Sequence, residues 1–145
     1  KDNNNIGVDL PILKGGFVVN VGNPHVIFFT EEKNMDSEKI YEDCLKISNM
    51  SLFPQGININ VAQIFTDKII KLLVYERGVG FTDACGSGAC ATMVAAFKLG
   101  YTQQDVEVMM PGGKLDIEYM DDNHILMKGP VIKSFNGILD INAYK

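Results

Sequence analysis

The sequence predicts an α+β fold: a curved, mostly antiparallel, barrel-like β-sheet wrapped around a central buried α-helix. Three observations carry this. The segment from about Ser87 to Leu99 is apolar around almost its whole circumference, with Lys98 its only charge, and a helix apolar on every side is a buried one. Short β-rich runs fill most of the remaining chain and are divided by turn signals, including Asn136–Gly137, a strong hairpin dipeptide. One further stretch, MDSEKIYEDCLKISNM, has helical spacing and supplies a second helix outside the sheet.

Taken in order, KDNNNIGVDLPILKGG is polar and irregular, and residues 1–16 read as a linker or the remnant of an interdomain segment. FVVNVGNPHVIFF holds two strands broken at Gly22–Pro24. In the helix that follows, Asp36 or Ser37 is the expected cap, and Ile40, Tyr41, Cys44, Leu45 and Ser48 share a face. SLFPQG is a turn, and INVAQIF and KIIKLLVYE are strands. A glycine-rich turn and the Ser87–Leu99 helix come next, stopped by Gly100. DVEVMM, KLDIEYM, HILMKG, VIKSF and GILDI complete the strand set.

The chain has 145 residues, 46% apolar and 21% charged, with a formal charge of −5. That suits one domain of ordinary size or two small lobes. No Lys/Arg stripe is present, so nucleic acid is not an expected partner. No apolar run approaches the ~20 residues that span a bilayer, so no membrane partner is expected either. The cysteines are Cys44, Cys85 and Cys90. An odd count without CxxC spacing argues against a disulfide framework or a zinc site and fits a reducing cytoplasm.

The chemistry concentrates in YERGVGFTDACGSGACATMVAAF. Backbone N–H groups at a helix start favour an anion, and Gly86 and Gly88 leave room for one to approach. Helix N-termini also favour the thiolate form of cysteine, which makes Cys85 the candidate reactive thiol. The alternative is that Cys85 simply packs where strand becomes helix. The turn is not a P-loop, because GxxxxGK[ST] is absent. Cys90 lies five residues on, about 140° around the helix from Cys85, and reads as structural. Cys44 reads as a small core residue. Glu76 and Arg77 are either an exposed strand end or a pair that grips an ammonium and a carboxylate. Asn23 and His25 flank Pro24, Asn58 lies in GININ, and His124 in DDNH reads as a surface residue.

GNPHVIFF, LFPQGINI, YERGVG, ACGSGACAT, PGGKLDIEY and MKGP, in this order, resemble the C-terminal half of diaminopimelate epimerases, from about Phe17 to Asp140. ERGVG followed by ACGSGACA is the specific part. The resemblance implies a lobe over residues 17–145, with the last strand a candidate to cross to an N-terminal lobe. It also implies a cofactor-independent isomerase interconverting LL- and meso-2,6-diaminopimelate in cytoplasmic lysine and peptidoglycan synthesis. Two cysteines would act from opposite faces of the substrate α-carbon. By motif position Cys85 is one of them, His25 matches a histidine close to the catalytic thiols, and Glu76 is a further candidate catalytic residue. Gly86 and Ser87 supply backbone donors to the reacting carboxylate, and Asn23, Asn58, Glu76 and Arg77 hold the distal end. A homodimer of the full-length protein is compatible with the resemblance.

The chain departs from the family pattern in two ways. Phe81 stands where many members have an acidic residue. The N-terminal lobe, with its own cysteine, is not in this sequence, so the chain carries half of an active site and is expected to be inactive alone. Three other readings stay open: a related racemase or isomerase of the superfamily, a cysteine hydrolase or acyltransferase using Cys85 with His25, and a non-catalytic carboxylate-binding module.

Overall fold

The computed structural model describes residues 4–31 and 35–143. Residues 1–3 of the expected linker and 144–145 of the expected lobe lie outside that range. Nine strands and two helices occur among the described residues: β1 (Asn5–Asp9), β2 (Lys14–Asn20), β3 (Pro24–Phe29), α1 (Ser37–Ser48), β4 (Asn58–Thr66), β5 (Ile69–Glu76), β6 (Gly80–Thr82), α2 (Gly86–Lys98), β7 (Asp105–Met110), β8 (Gly113–Tyr119) and β9 (Ile125–Lys128).

The strands form one sheet in the order β1-β2-β3-β4-β5-β7-β8-β9, with β6 paired to β5. Its pairings are antiparallel except β3–β4 and β5–β7, which are parallel. Parallel neighbours need a crossover, and each helix provides one: α1 joins β3 to β4, and α2 lies between β5 and β7. The sheet curls until β2, near one end, and β8 and β9, at the other, all touch α2. It does not close, and β1 and β9 remain its two ends.

The two helices cover opposite faces. Along β3, Val26 and Phe28 pack with α1 residues Ile40, Cys44 and Ile47, whereas Ile27 packs with α2 residues Ala91, Met93 and Ala95. The same alternation runs along β5, where Ile70, Leu72 and Val74 face α2 and Leu73 and Tyr75 face α1. Strands buried on both faces read as continuous apolar runs, which is why HVIFF and IIKLLV show little alternation. The expected buried helix is present: Met93 is fully buried, and Phe97 sits edge-on to Tyr119 with ring centroids 5.6 Å apart.

Three expectations change. Asn5–Asp9, read as irregular, is a strand paired with β2. The buried face of α1 is Ile40, Asp43, Cys44 and Ile47, while Tyr41 and Leu45 are exposed. Asp43 takes the inward place because its carboxylate accepts from the Ile12 and Leu13 N–H groups, at 2.8 and 3.1 Å. VIKSF and GILDI are not strands: residues 129–140 carry no regular structure, and Val131, Phe135 and Ile138 are exposed. The Asn136–Gly137 hairpin is therefore absent.

Candidate functional site

The sheet brings the singled-out residues to one end. β3 and β4 begin there, with His25 opposite Asn58 in register, and β5 ends there at Glu76. The chain then turns through β6 and enters α2 at Cys85. Cys85 is the N-cap residue, in extended conformation, and its side chain makes no capping hydrogen bond. The amides of the first helical turn, Gly86 to Gly88, have no intrahelical acceptors by helix geometry.

The turn is braced from the β7–β8 hairpin. Gly112 N–H donates to the Asp83 carbonyl at 2.7 Å, and a Cβ on Gly112 would lie 2.9 Å from that oxygen. Only glycine fits there, which gives the PGG motif its physical reason. Gly88 is constrained too: a Cβ would come within 3.3 Å of both the Cys85 sulfur and the Asn60 amide nitrogen.

Around Cys85 the polar groups form a chain. The Cys85 Sγ lies 3.6 Å from Ser87 Oγ. Ser87 Oγ lies 3.1 Å from His25 Nε2 and accepts from Asn23 Nδ2 at 3.2 Å. His25 Nδ1 lies 3.1 Å from Asn60 Oδ1. The His25 residue is fully buried, and burial holds its pKa below the ordinary value, opposed by the Asn60 hydrogen bond and the nearby Glu76 charge. Glu76 is itself held: Thr82 Oγ1 donates to its Oε1 at 2.7 Å.

Asn58 and Arg77 sit beside this cluster. Asn58 Oδ1 accepts from the Arg77 backbone N–H at 3.0 Å, and its Nδ2 donates to the Pro24 carbonyl. The exposed Arg77 guanidinium donates to the Gln55 carbonyl at 2.8 Å. A Cβ at Gly56 would collide with the Arg77 stem at 2.6 Å.

Asn23, His25, Asn58, Glu76, Arg77, Cys85, Gly86 and Ser87 thus share one end of the sheet. His124 is far more exposed, and its side chain lies 3.0 Å from the Asp122 carboxylate. Phe81 belongs to the opposite face, where its ring meets Tyr75 edge-on at 5.4 Å. The other two thiols lie outside this cluster. Burial, aided by the adjacent Asp43 carboxylate, pushes the Cys44 thiol up to about 12. Burial also raises Cys90, with a smaller contribution from Cys85.

Sequence reasoning missed Asn60, Thr82, Met110 and Met127. Met110 Sδ accepts from the Cys85 N–H at 3.5 Å, and Met127 lies against Gly86. Asn60 had a readable signal: it is a polar residue two places after Asn58 in an apolar strand, so both project to the same face.

A family model for diaminopimelate epimerase matches residues 17–134. The chain is 46% identical over 134 residues to a diaminopimelate epimerase of Erythrobacter litoralis, covering 91% of this chain and 48% of the relative. It is 41% identical over 139 residues to the enzyme of that name from Bartonella quintana, covering 96% and 49%. The chain therefore spans about half the length of the curated relatives it matches. Among solved structures, a phenazine biosynthesis protein of the PhzF family from Bacillus anthracis shares the fold with TM-score 0.53 at 18% identity, over 74% of this chain and 34% of that one. A PhzF-family protein from Enterococcus faecalis gives 0.54 at 14%, over 69% and 35%. With a family model matching most of its length and relatives above 40% identity, this chain belongs to the diaminopimelate epimerase family.

Proposed function

We propose that this chain is the C-terminal lobe of a cofactor-independent, cytoplasmic isomerase that interconverts LL- and meso-2,6-diaminopimelate, for lysine and peptidoglycan synthesis. The observation that carries this reading is Cys85, placed uncapped at the mouth of a buried helix and connected through Ser87 to His25.

The chemistry follows from that placement. An α-C–H beside a carboxylate is a very weak acid, so its removal needs stabilisation of the developing charge and a base held against the carbon. The Gly86 and Ser87 amides, at the positive end of α2, receive the α-carboxylate. Cys85 acts as base from one face. Inversion requires a proton donor on the other face, supplied by a second cysteine on the N-terminal lobe. Asn23, Asn58, Glu76 and Arg77 hold the distal amino-acid end. The exposed apolar side chains of residues 131–141 fit a last segment that crosses to that second lobe. The full-length protein is compatible with a homodimer.

The hydrolase reading fits less well, because the Ser87 hydroxyl stands between Cys85 and His25 and the ring is buried. The test is solvent deuterium incorporation at the α-carbon of LL- and meso-diaminopimelate, followed by NMR. The 145-residue chain is expected to give none, a two-lobed protein containing it is expected to exchange and invert, and Cys85→Ala in that protein is expected to abolish both. Unimpaired turnover by the Cys85→Ala protein would remove this thiol from the mechanism.

A further inference from the structure

We propose that the Ser87 hydroxyl carries a proton between Cys85 and His25, and that Asn60 is the positioning residue that holds His25 in the tautomer this requires. Asn60 lies on β4, in the middle of the sheet. Its Nδ2 donates to the Gly88 carbonyl at 2.8 Å and to Thr92 Oγ1 at 2.9 Å. A backbone carbonyl can only accept, so the amide NH2 is on that side and Oδ1 faces His25. An amide oxygen also can only accept. The His25 Nδ1, 3.1 Å away, therefore carries the proton. In the neutral ring Nε2 is then a bare acceptor, aimed at Ser87 Oγ at 3.1 Å.

The hydroxyl is fixed from its other side. Asn23 Nδ2 donates into Ser87 Oγ at 3.2 Å, so the hydroxyl's single proton is left with two acceptors, His25 Nε2 and Cys85 Sγ at 3.6 Å. These define two states. In one, the Cys85 thiol donates to Ser87 and Ser87 donates to neutral His25. In the other, the S–H bond has broken and its proton is on Ser87 Oγ, while the former Ser87 proton has formed a bond to Nε2. The products are thiolate and imidazolium, with the Nδ1–H bond to Asn60 kept throughout. No atom or electron is left over.

The ring is bonded by Asn60 from β4 and Ser87 from α2, feels the Glu76 charge from β5, and reaches Cys85 only through Ser87. The Glu76 carboxylate favours the imidazolium and burial opposes it. The relay places a side-chain role on Ser87 and Asn60. It rests on Cys85 being the reactive thiol, but the tautomer does not.

The experiment uses the 145-residue chain with ¹⁵N-labelled histidine. NMR is expected to show neutral His25 protonated at Nδ1 and bare at Nε2; an Nε2–H ring overturns the proposal. Iodoacetamide labelling of Cys85 at pH 7 supplies the second arm. Ser87→Ala is expected to slow it about tenfold, the effect of one lost hydrogen bond to a charged group. His25→Gln is expected to do the same, and the double variant no more than either, because both remove one path. A rate unchanged by Ser87→Ala, or single effects that multiply to about a hundredfold in the double variant, overturns the relay. Should His25→Gln not fold, the tautomer and the Ser87→Ala rate still decide. The deuterium-exchange result above judges the epimerase reading separately, since neither arm here contains substrate.

Discussion

The two helices do the same topological job and begin in opposite ways. Each bridges a pair of parallel strands. α1 starts at Asp36, whose side chain accepts from the Glu38 N–H at 3.0 Å, and it carries Glu38 in its first turn. That is how a structural helix settles its orphan amides and its dipole. α2 starts at Cys85 with no side-chain cap and no acid in its first turn. Its positive end is left for something else. The thiols follow the same division: Cys44 is sealed between α1 and the sheet, and Cys85 stands half-buried where α2 meets the cluster of Asn23, His25 and Ser87. Where ordinary helix economy is withheld, the chemistry collects.

The contrast between the thiols gives the largest expected effect. A Cys44 pKa of about 12 leaves on the order of a thousandfold less thiolate at neutral pH than an ordinary thiol near 8.5. Iodoacetamide should therefore label Cys85 first and Cys44 last, with peptide mass spectrometry as the readout. Early loss of Cys44 would mean that the α1 side opens readily. The sign of the linkage adds a second readout. Cys44 stays protonated in the folded chain while the unfolded chain ionises near 8.5, so its contribution is intact below that pH and is lost between about 8.5 and 12. Urea unfolding should weaken across that window, and less so in Cys44→Ala.

The helix interiors provide the next test. Met93 is fully buried in α2, and Leu45 lies on the exposed face of α1. Met93→Ala should cost about 2–5 kcal/mol in urea unfolding. Leu45→Ala should stay within about 0.5 kcal/mol. Comparable losses would show that α1 buries the face its sequence suggested.

His25 tests the α2 side by acid. Its folded pKa lies below the usual 6.5, so the buried neutral ring stabilises the fold above that pH. That contribution is lost as pH falls below about 6.5 toward the folded value. Denaturant midpoints should drop on acidification with a His25-dependent slope, and ¹H NMR titration of the ring should give the lowered midpoint directly. A ring titrating at or above 6.5 would contradict the burial that the relay uses.

How much of this was readable depended on how local the cause was. The buried α2, the glycine turn and Cys85 come from contiguous residues, and so did the cap at Asp36. The α1 stripe was misread because its orientation is set by a distant demand: Ile12 and Leu13 need an acceptor, and Asp43, some thirty residues on, turns inward to provide it. Asn60's place on the Asn58 face was legible locally, but its partners Gly88 and Thr92 lie 28 and 32 residues further along the chain, and no local pattern names them. VIKSF and GILDI have strand composition, but a strand needs a neighbour for its backbone hydrogen bonds, and no described segment provides one.

The smallest effect is the most direct test of the two helix starts. Asp36→Ala removes a side-chain acceptor from the first turn of α1, leaving the Glu38 N–H to water; the expected cost is about 1 kcal/mol. Cys85→Ala removes no such bond, since the Cys85 side chain caps nothing. It gives up only the packing of a half-buried sulfur and its contact with Ser87, so it should cost less than Asp36→Ala in the same urea experiment. The two variants then separate in function as well. Asp36→Ala should leave iodoacetamide labelling of Cys85 as it was, because α1 packs on the face of the sheet away from the site. Cys85→Ala should remove the fast-labelling thiol and leave a stable fold. A Cys85→Ala chain that unfolds more easily than Asp36→Ala would mean that this cysteine holds the helix in place, and the uncapped start of α2 would then be a matter of packing rather than of chemistry.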